Sequence, residues 1–247
     1  MSKPIIHSLI PARGGSKSIK DKNILPLNGH PLIAYSIAAS KLCTQISKTV
    51  VTTDSLKIAE VAKVYGAEVP FLRPASLAQD NSLDIEFFKH YLDHLKFSNE
   101  SIPDLIVHLR PTTPLRDPVV IDDAITQLLK NPSFSGLRSA QVTNLTPYKI
   151  FRKVNECMEP FISLEGELES ANLPRQRFEA AYLPNGYVDI IRPSTLLQTG
   201  MLHGKTLKLY ETQEVPDIDY FQDYQLAIKL LGDERFITIC NYLKRYI

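Results

Sequence analysis

Two stretches at opposite ends of the chain carry the residue types for chemistry on phosphates. Near the start, the apolar run Ile5–Ile10 breaks into a loop that holds Ala12, Arg13, Gly14, Gly15 and Ser16, then Lys17, Lys20, Lys22 and Asn23. Glycines let a backbone turn tightly and approach a ligand, and successive N–H groups in such a turn form a concavity for anions. Arginine adds a two-pronged grip on phosphate and lysine adds a point charge. Near the other end stands Val215-Pro216-Asp217-Ile218-Asp219. Carboxylates two apart in an extended segment point to one side. Such a pair suits Mg²⁺, which binds through one or two carboxylates together with phosphates. The competing use of Asp219 is to cap the helix that follows.

The loop has neither the Walker A spacing nor Gly-x-Gly-x-x-Gly, so its spacing alone does not name a nucleotide. Three further polar stretches are candidates. Leu72–Ser82 follows a strand and contains Arg73, Asp80 and Ser82. Leu109-Arg110-Pro111-Thr112-Thr113-Pro114-Leu115-Arg116 lies at the carboxyl end of a strand, where open α/β sheets bind ligands. Leu173-Pro174-Arg175-Gln176-Arg177 precedes Leu183-Pro184-Asn185-Gly186, and Asn-Gly on its own is a hairpin-turn signal. The six histidines show no metal spacing, and no Ser, His and Asp set carries a hydrolase pattern.

The elements that must position these stretches alternate. Strands are expected at Ile5–Ile10, Ile46–Thr53, Glu68–Leu72, Leu105–Leu109 and Phe134–Val142. Helices are expected after Pro31, after the cap Asp54-Ser55, over Asp84–Phe97 and over Pro118–Leu129 behind Asp117. This order predicts a mostly parallel sheet with helices on both faces. The rhythm then changes. Residues 155–185 have few apolar runs and read as an excursion. Gly186–Ile191 returns as a strand, Leu207–Tyr210 is another, and Tyr220–Leu231 and Glu234–Tyr246 are amphipathic helices split by Gly232. We read residues 1–247 as a single domain with 155–205 as an inserted segment.

Composition bounds the function class. In 247 residues, 44% are apolar, 22% are charged and the net charge is +1, which argues against a polyanion-binding surface and hence against nucleic acid as partner. Cys43, Cys157 and Cys240 are odd in number and far apart, unlike a disulfide framework or zinc site. No apolar run approaches the roughly 18 residues of a membrane helix. The amino-terminal residues lead directly into the first strand without signal-peptide character, so a cytoplasmic location is expected.

Taken together, Ile10-Pro-Ala-Arg-Gly-Gly-Ser-Lys-Ser-Ile-Lys-Asp-Lys-Asn23 and Gly29-His-Pro-Leu-Ile-Ala-Tyr-Ser36 resemble the opening of the sugar-acid cytidylyltransferases, in particular the acylneuraminate (CMP-sialic acid synthetase-like) cytidylyltransferases. The other stretches follow in that family's order, so the resemblance covers roughly residues 5–231. It implies a three-layer, Rossmann-like nucleotidyltransferase fold, with the 155–205 excursion reaching toward a second copy in a homodimer. It implies transfer from CTP to a nine-carbon 2-keto-3-deoxy sugar acid, giving the CMP-sugar and pyrophosphate. By the same resemblance, Arg13 and Lys22 neutralise phosphate charge and Asp217 and Asp219 hold Mg²⁺. Ala12, Gly14, Gly15, Ser16, Asn23, Arg73, Asp80 and Ser82 bind the nucleotide. Arg110, Lys149, Arg175, Gln176 and Asn185 bind the sugar acid.

Three departures bear on the substrate. Asp84 stands where the family has a small hydroxyl residue, Arg110 where it often has Gln, and Asp189 where sialate enzymes tend to have Tyr. Legionaminate, pseudaminate and 3-deoxy-octulosonate therefore stay open as acceptors. A guanylyl- or uridylyltransferase and a non-catalytic nucleotide-binding protein are the wider alternatives.

Overall fold

The computed structural model describes residues 3–16, 19–165 and 169–246; Lys17 lies outside them. In chain order the elements are β1 (Ile6–Pro11), β2 (Pro26–Leu27), β3 (His30–Pro31), α1 (Leu32–Leu42), β4 (Lys48–Thr52), α2 (Leu56–Val64) and α3 (Asp84–Phe97). Next come β5 (Leu105–His108), α4 (Pro118–Lys130), β6 (Gly136–Thr143), β7 (Phe151–Val154) and β8 (Cys157–Pro160). The chain finishes with β9 (Ala181–Ile191), α5 (Pro193–Thr199), β10 (Leu207–Glu211), α6 (Phe221–Leu230) and α7 (Ile237–Leu243).

Six strands form one sheet in the order β10-β6-β9-β5-β1-β4. β1 pairs parallel with β4 and β5, and β10 pairs parallel with β6. β9 runs antiparallel between β5 and β6. Alternation along the strands supplies two cores. Ile6, Ile10, Val51, Leu105, Val107, Val188 and Ile190 face one way and pack with residues of α1, α4 and α7. Leu9, Val50, Ile106 and Ile191 face the other way and pack with Phe87, Phe88, Tyr91, Leu92 and Leu95 of α3 and Leu196 of α5. Helices therefore cover both faces. Among the described residues no helix is long and apolar enough to cross a membrane.

The expected caps are present. Ser55 Oγ accepts from Ile58 N at 3.4 Å, and Asp117 Oδ1 accepts from Val119 N at 2.9 Å. Two expectations fail. Glu68–Leu72 is not a strand: Glu68 makes a lone bridge to Val50, and Pro70, which has no N–H, stops the ladder from continuing. Asn185-Gly186 is not a hairpin turn either. It lies inside β9, which begins earlier than expected, at Ala181.

At that point the pairing shifts, from Arg138 opposite Asp189 to Ala140 opposite Pro184. Gly186 takes φ +66°, and a Cβ there would come within 3.1 Å of Thr113 Oγ1, so both the dihedral and the close approach call for glycine. Side chains replace the interrupted ladder. Ser139 Oγ donates to Asn185 Oδ1 at 2.9 Å and accepts from Val188 N at 2.9 Å. Tyr187 N also donates to Asn185 Oδ1, at 3.2 Å.

His7 in β1 is buried with its Nδ1 2.8 Å from Tyr91 Oη. Burial, with Lys48 adding to it, lowers its pKa from 6.5 to about 4. The unfolded chain therefore binds more protons between these values. The stabilisation from neutral His7 is complete above pH 6.5 and is lost as pH falls through 4. His7→Gln should flatten the fall of the thermal midpoint over that window relative to the unmodified protein, measured by circular dichroism at each pH; parallel curves would refute the assignment.

Candidate active site

A cleft of about 490 Å³ opens at the carboxyl ends of β1 and β5. Its walls come from four of the five candidate stretches, and the sheet explains the convergence. Parallel β1 and β5 deliver the basic loop and the Arg110–Arg116 loop to the same edge. The Arg73–Asp84 segment lies alongside, and Asp219 reaches in from the segment before α6.

The basic loop is closed from within. Asn23 Nδ2 donates to the Arg13 carbonyl at 2.9 Å, and Lys22 and Asn23 are buried. Gly14 N donates to Asp54 Oδ1 at 2.9 Å, and a Cβ on Gly14 would meet Ser55 Cβ at 3.2 Å, so the turn packs closely on the end of β4. Asp54 is a site residue that composition does not reveal, because its role depends on β4 lying beside β1.

Four cations and three carboxylates line the cleft. Arg13 Nη1 lies 2.7 Å from Asp80 Oδ1, and Lys22 Nζ lies 2.8 Å from Asp219 Oδ1. Arg110 Nη2 lies 3.0 Å from Asp84 Oδ2, and its Nη1 lies 2.9 Å from Asp189 Oδ2. Arg73 differs. It is buried over the Phe87 ring at 5.5 Å, with Nε and Nη2 lacking hydrogen-bond partners. Burial pulls its pKa below the ordinary arginine value, with Asp54 acting against that pull. An unsatisfied buried guanidinium is costly, and a ligand oxygen in the cleft would satisfy it.

The two uses of Asp219 can now be separated. The amide groups of Asp219 and Tyr220 donate to Asp223 Oδ2 at 3.0 and 2.8 Å, so Asp223 caps α6 and the Asp219 carboxylate is directed to Lys22. Between the two aspartates Ile218 is buried, and its N–H donates to the Thr112 carbonyl at 2.7 Å. Asp217 is exposed on the same segment and is not part of the cleft wall. Among the described residues no three His, Cys, Asp or Glu side chains cluster as a metal site. An Asp pair that leaves further positions to phosphates and water is nonetheless the donor set Mg²⁺ takes.

The floor is built on Arg116, which is fully buried. Its Nε donates to Tyr187 O at 2.5 Å, its Nη2 to Arg110 O at 2.9 Å and Gly186 O at 3.0 Å, and its Nη1 to Ser36 Oγ at 3.0 Å and to Thr113 O.

Of the expected site residues, Arg13, Ser16, Lys22, Asn23, Arg73, Asp80, Ser82, Arg110 and Asp219 come together around the cleft. Ala12 is buried beside it. Gly15 continues the loop. Arg175 and Gln176 on the excursion, and Lys149 just before it, lie away from these walls; Lys149 Nζ sits 5.7 Å over the Phe178 ring, which stacks on Tyr148. Asn185 is buried within the sheet, and its amide Nδ2 donates to Thr212 Oγ1 at 2.7 Å. It shapes the β9 bulge, and its amide is already engaged there.

Residues 7–173 match the family model described as cytidylyltransferase. The chain belongs to the cytidylyltransferase family. It is 32% identical over 232 residues to an N-acylneuraminate cytidylyltransferase of Escherichia coli O18:K1:H7, covering 91% of this chain and 52% of that protein. The chain thus spans about half the length of that relative. It is 31% identical over 237 residues to a CMP-N,N'-diacetyllegionaminic acid synthase of Legionella pneumophila, covering 92% of this chain and 96% of the other. Among solved structures, CMP:2-keto-3-deoxy-manno-octonic acid synthetase complexed with CTP superposes with a TM-score of 0.68 at 13% identity, covering 93% of this chain and 99% of that one. This last likeness establishes the fold, a nucleotidyltransferase α/β sheet.

Arg116 should prove structural. Arg116→Met strands several buried carbonyls, each costing about 1–3 kcal/mol. The expected loss is about 3 kcal/mol or more in urea unfolding with an unchanged slope. A loss within experimental error would show that the floor does not depend on it.

Proposed function

We propose that this protein transfers CMP from CTP to the anomeric hydroxyl of a nine-carbon 2-keto-3-deoxy sugar acid. The hydroxyl oxygen bonds to the α-phosphorus, the bond to the β-phosphate oxygen breaks, and pyrophosphate leaves; the hydroxyl proton passes to solvent. The observation that carries this reading is the single cleft uniting Arg13, Lys22, Arg73 and Asp219 in a cytidylyltransferase-family chain.

Transfer of this kind asks chiefly for positioning and charge neutralisation. Arg13 and Lys22 supply neutralisation at the end of β1, where both already hold carboxylates in an anion's place. Arg73 and Ser82 with Asn23 hold the cytidine end, and Arg73 brings unsatisfied donors. Asp80 orients Arg13. Asp217 and Asp219 would hold Mg²⁺, which supplies charge stabilisation on the triphosphate when bound.

Lys149, Arg175 and Gln176 are assigned to the sugar acid across a homodimer interface. In support, the excursion and its flanks expose Met158 (71%) and Phe161 (60%), with Leu145 and Ile162 also exposed, an apolar surface suited to a second copy. A cytoplasmic location accords with the use of CTP and with three free cysteines. A specific acceptor, a diacetamido acid of the legionaminate type, is favoured by the near full-length match to the Legionella enzyme.

Pyrophosphate release with CTP, Mg²⁺ and a panel of N-acetylneuraminate, diacetyllegionaminate, pseudaminate and 3-deoxy-octulosonate tests the reading. Turnover with one nine-carbon acid and CTP alone is expected; silence with all four would overturn it. Asp219→Ala should abolish turnover and leave the thermal midpoint intact, whereas a near-normal rate would remove it from the metal and phosphate site. Arg175→Ala should raise the acid KM more than the CTP KM. Phe161→Glu should lower the sedimentation coefficient to that of a monomer, and an unchanged dimer would displace the interface from the excursion.

A further inference from the structure

A second cavity, of about 300 Å³, lies outside the cleft and shares no wall residue with it. Arg116 stands between the two. Its Nη2 holds the carbonyl of Arg110 on the cleft wall, and its Nε holds the carbonyl of Tyr187 on the cavity wall. Val120 of α4, Tyr187 of β9, Tyr210 of β10, Val215 and Phe236 give the cavity its apolar surface. Aromatic walls with a few convergent polar groups suit a small flat molecule.

Two of those polar groups stand side by side with capacity the chain leaves unused. Tyr187 is buried, and its Oη accepts from the amide of Asp117 at 2.5 Å. Burial pushes its pKa up to about 12, so the phenol keeps its proton, and no described group accepts that proton. A buried donor without an acceptor is costly, and an acceptor atom on a ligand removes the cost. Asp117 caps α4 with Oδ1, which takes Val119 N, and Oδ2 stays open. The cavity thus presents a donor next to an acceptor.

The charges on these walls, or bonded to them, select against an anion. Asp117 and Glu211 line the cavity, Asp123 accepts from Tyr210 Oη at 2.8 Å, and Asp233 holds Arg235 Nη2 at 2.6 Å. Against these four carboxylates stand the guanidiniums of Arg235 and Arg116. A phosphate or carboxylate is repelled there. An ammonium ion has no acceptor and leaves the Tyr187 proton unmet. A neutral ring with an amino group beside a ring nitrogen satisfies both groups: the amine donates to Asp117 Oδ2 and the ring nitrogen accepts from Tyr187 Oη. Cytosine and adenine have that edge. Uracil and hypoxanthine carry an oxo group and a ring N–H in its place.

We propose that this cavity is a second, regulatory binding site for an uncharged nucleoside whose base bears an exocyclic amine. Its links to the cleft are short. Tyr187 is tied to Arg116, and Val215 is two residues before Asp217, on the segment that Ile218 N pins to Thr112 O at 2.7 Å. An occupant in contact with Tyr187 and Val215 therefore bears on the cleft from behind. The binding stands apart from the proposed reaction; the regulation rests on that reading.

Isothermal titration of the full chain, saturated with CTP and Mg²⁺ so that the cleft is filled, tests the binding with adenosine, cytidine, uridine and inosine. Adenosine or cytidine should bind one to one, and uridine and inosine about tenfold more weakly or not at all, the worth of the amino hydrogen bond. The tighter of the first two identifies the base. Val120→Phe, which fills the cavity from α4, should abolish the heat without changing basal pyrophosphate release. Asp117→Asn keeps a capping side chain but turns the open oxygen into a donor, and should erase the preference over uridine and inosine. No heat with any nucleoside, equal heat with all four, or heat retained in Val120→Phe overturns the site. At saturating CTP and acid, the bound nucleoside should change the rate of pyrophosphate release in the unmodified protein and not in Val120→Phe; a rate unchanged in both overturns the regulation. Each of these can fail while turnover with a sugar acid succeeds, and silence with every acid leaves the titration standing.

Discussion

The cleft depends on one buried guanidinium. Arg116 reaches from the loop after β5 and donates to carbonyls of Arg110 and Thr113 in its own loop and of Gly186 and Tyr187 in β9, while Ser36 of α1 takes another N–H. An arginine is placed in a core at high desolvation cost unless its donors are met. Here they are met by backbone carbonyls of its own loop and of β9 and by the Ser36 hydroxyl of α1, so the geometry of all three is set relative to a single rigid fork. That fork fixes where Arg110 emerges, where the β9 bulge turns, and where Thr112 presents the carbonyl that receives Ile218 N. Asp219, at the far end of the chain, thereby comes to rest against Lys22 near its beginning.

Much of this was legible in the chain itself. The parallel strands, their caps and the loops at their carboxyl ends follow from local pattern, because strand alternation, Asp and Ser caps and Gly-rich breaks each act over a few residues. The Asp217-Ile218-Asp219 segment was legible as chemistry but ambiguous in use, and the ambiguity ended only with Asp223 observed as the cap. What local pattern could not carry was anything produced by pairing. Asn-Gly reads as a hairpin turn until Ser139 on a neighbouring strand is seen to substitute for the ladder around it. Glu68–Leu72 reads as a strand until Pro70 is weighed against the need for a donor. Asp54, Asp84 and Asp189 lie far apart along the chain and have no shared spacing. Their places come from the order of β4, β1, β5 and β9 in the sheet and, for Asp84, from α3 packed on its face.

The excursion differs in kind. Among the described residues of 155–185 no apolar side chain joins either core, and Met158 and Phe161 stay exposed. A segment that buries so little within its own chain is stabilised chiefly by short-range features, the β7–β8 hairpin and the stack of Tyr148 on Phe178. That economy accounts for the weak apolar patterning of residues 155–185. It also accounts for the position of Arg175 and Gln176, which stand on the excursion, and of Lys149 just before it, off the cleft wall.

The charge pairing in the cleft links the two ends of the chain. Arg13 and Lys22 each already hold a carboxylate, so a triphosphate gains from them only the difference between its own oxygens and those of Asp80 and Asp219. The exposed Arg13–Asp80 pair contributes little by itself, whereas in the second pair Lys22 is buried and only the Asp219 end is exposed. Exchange at Arg13 is therefore cheap, and exchange at either cation frees the displaced carboxylate. On the proposed reading, a phosphate that took Lys22 would free the Asp219 carboxylate, which together with Asp217 would then be open to hold Mg²⁺. Arg73 has no carboxylate to exchange at Nε and Nη2, so at the end of the cleft over Phe87 these donors meet a ligand oxygen without first giving up a partner.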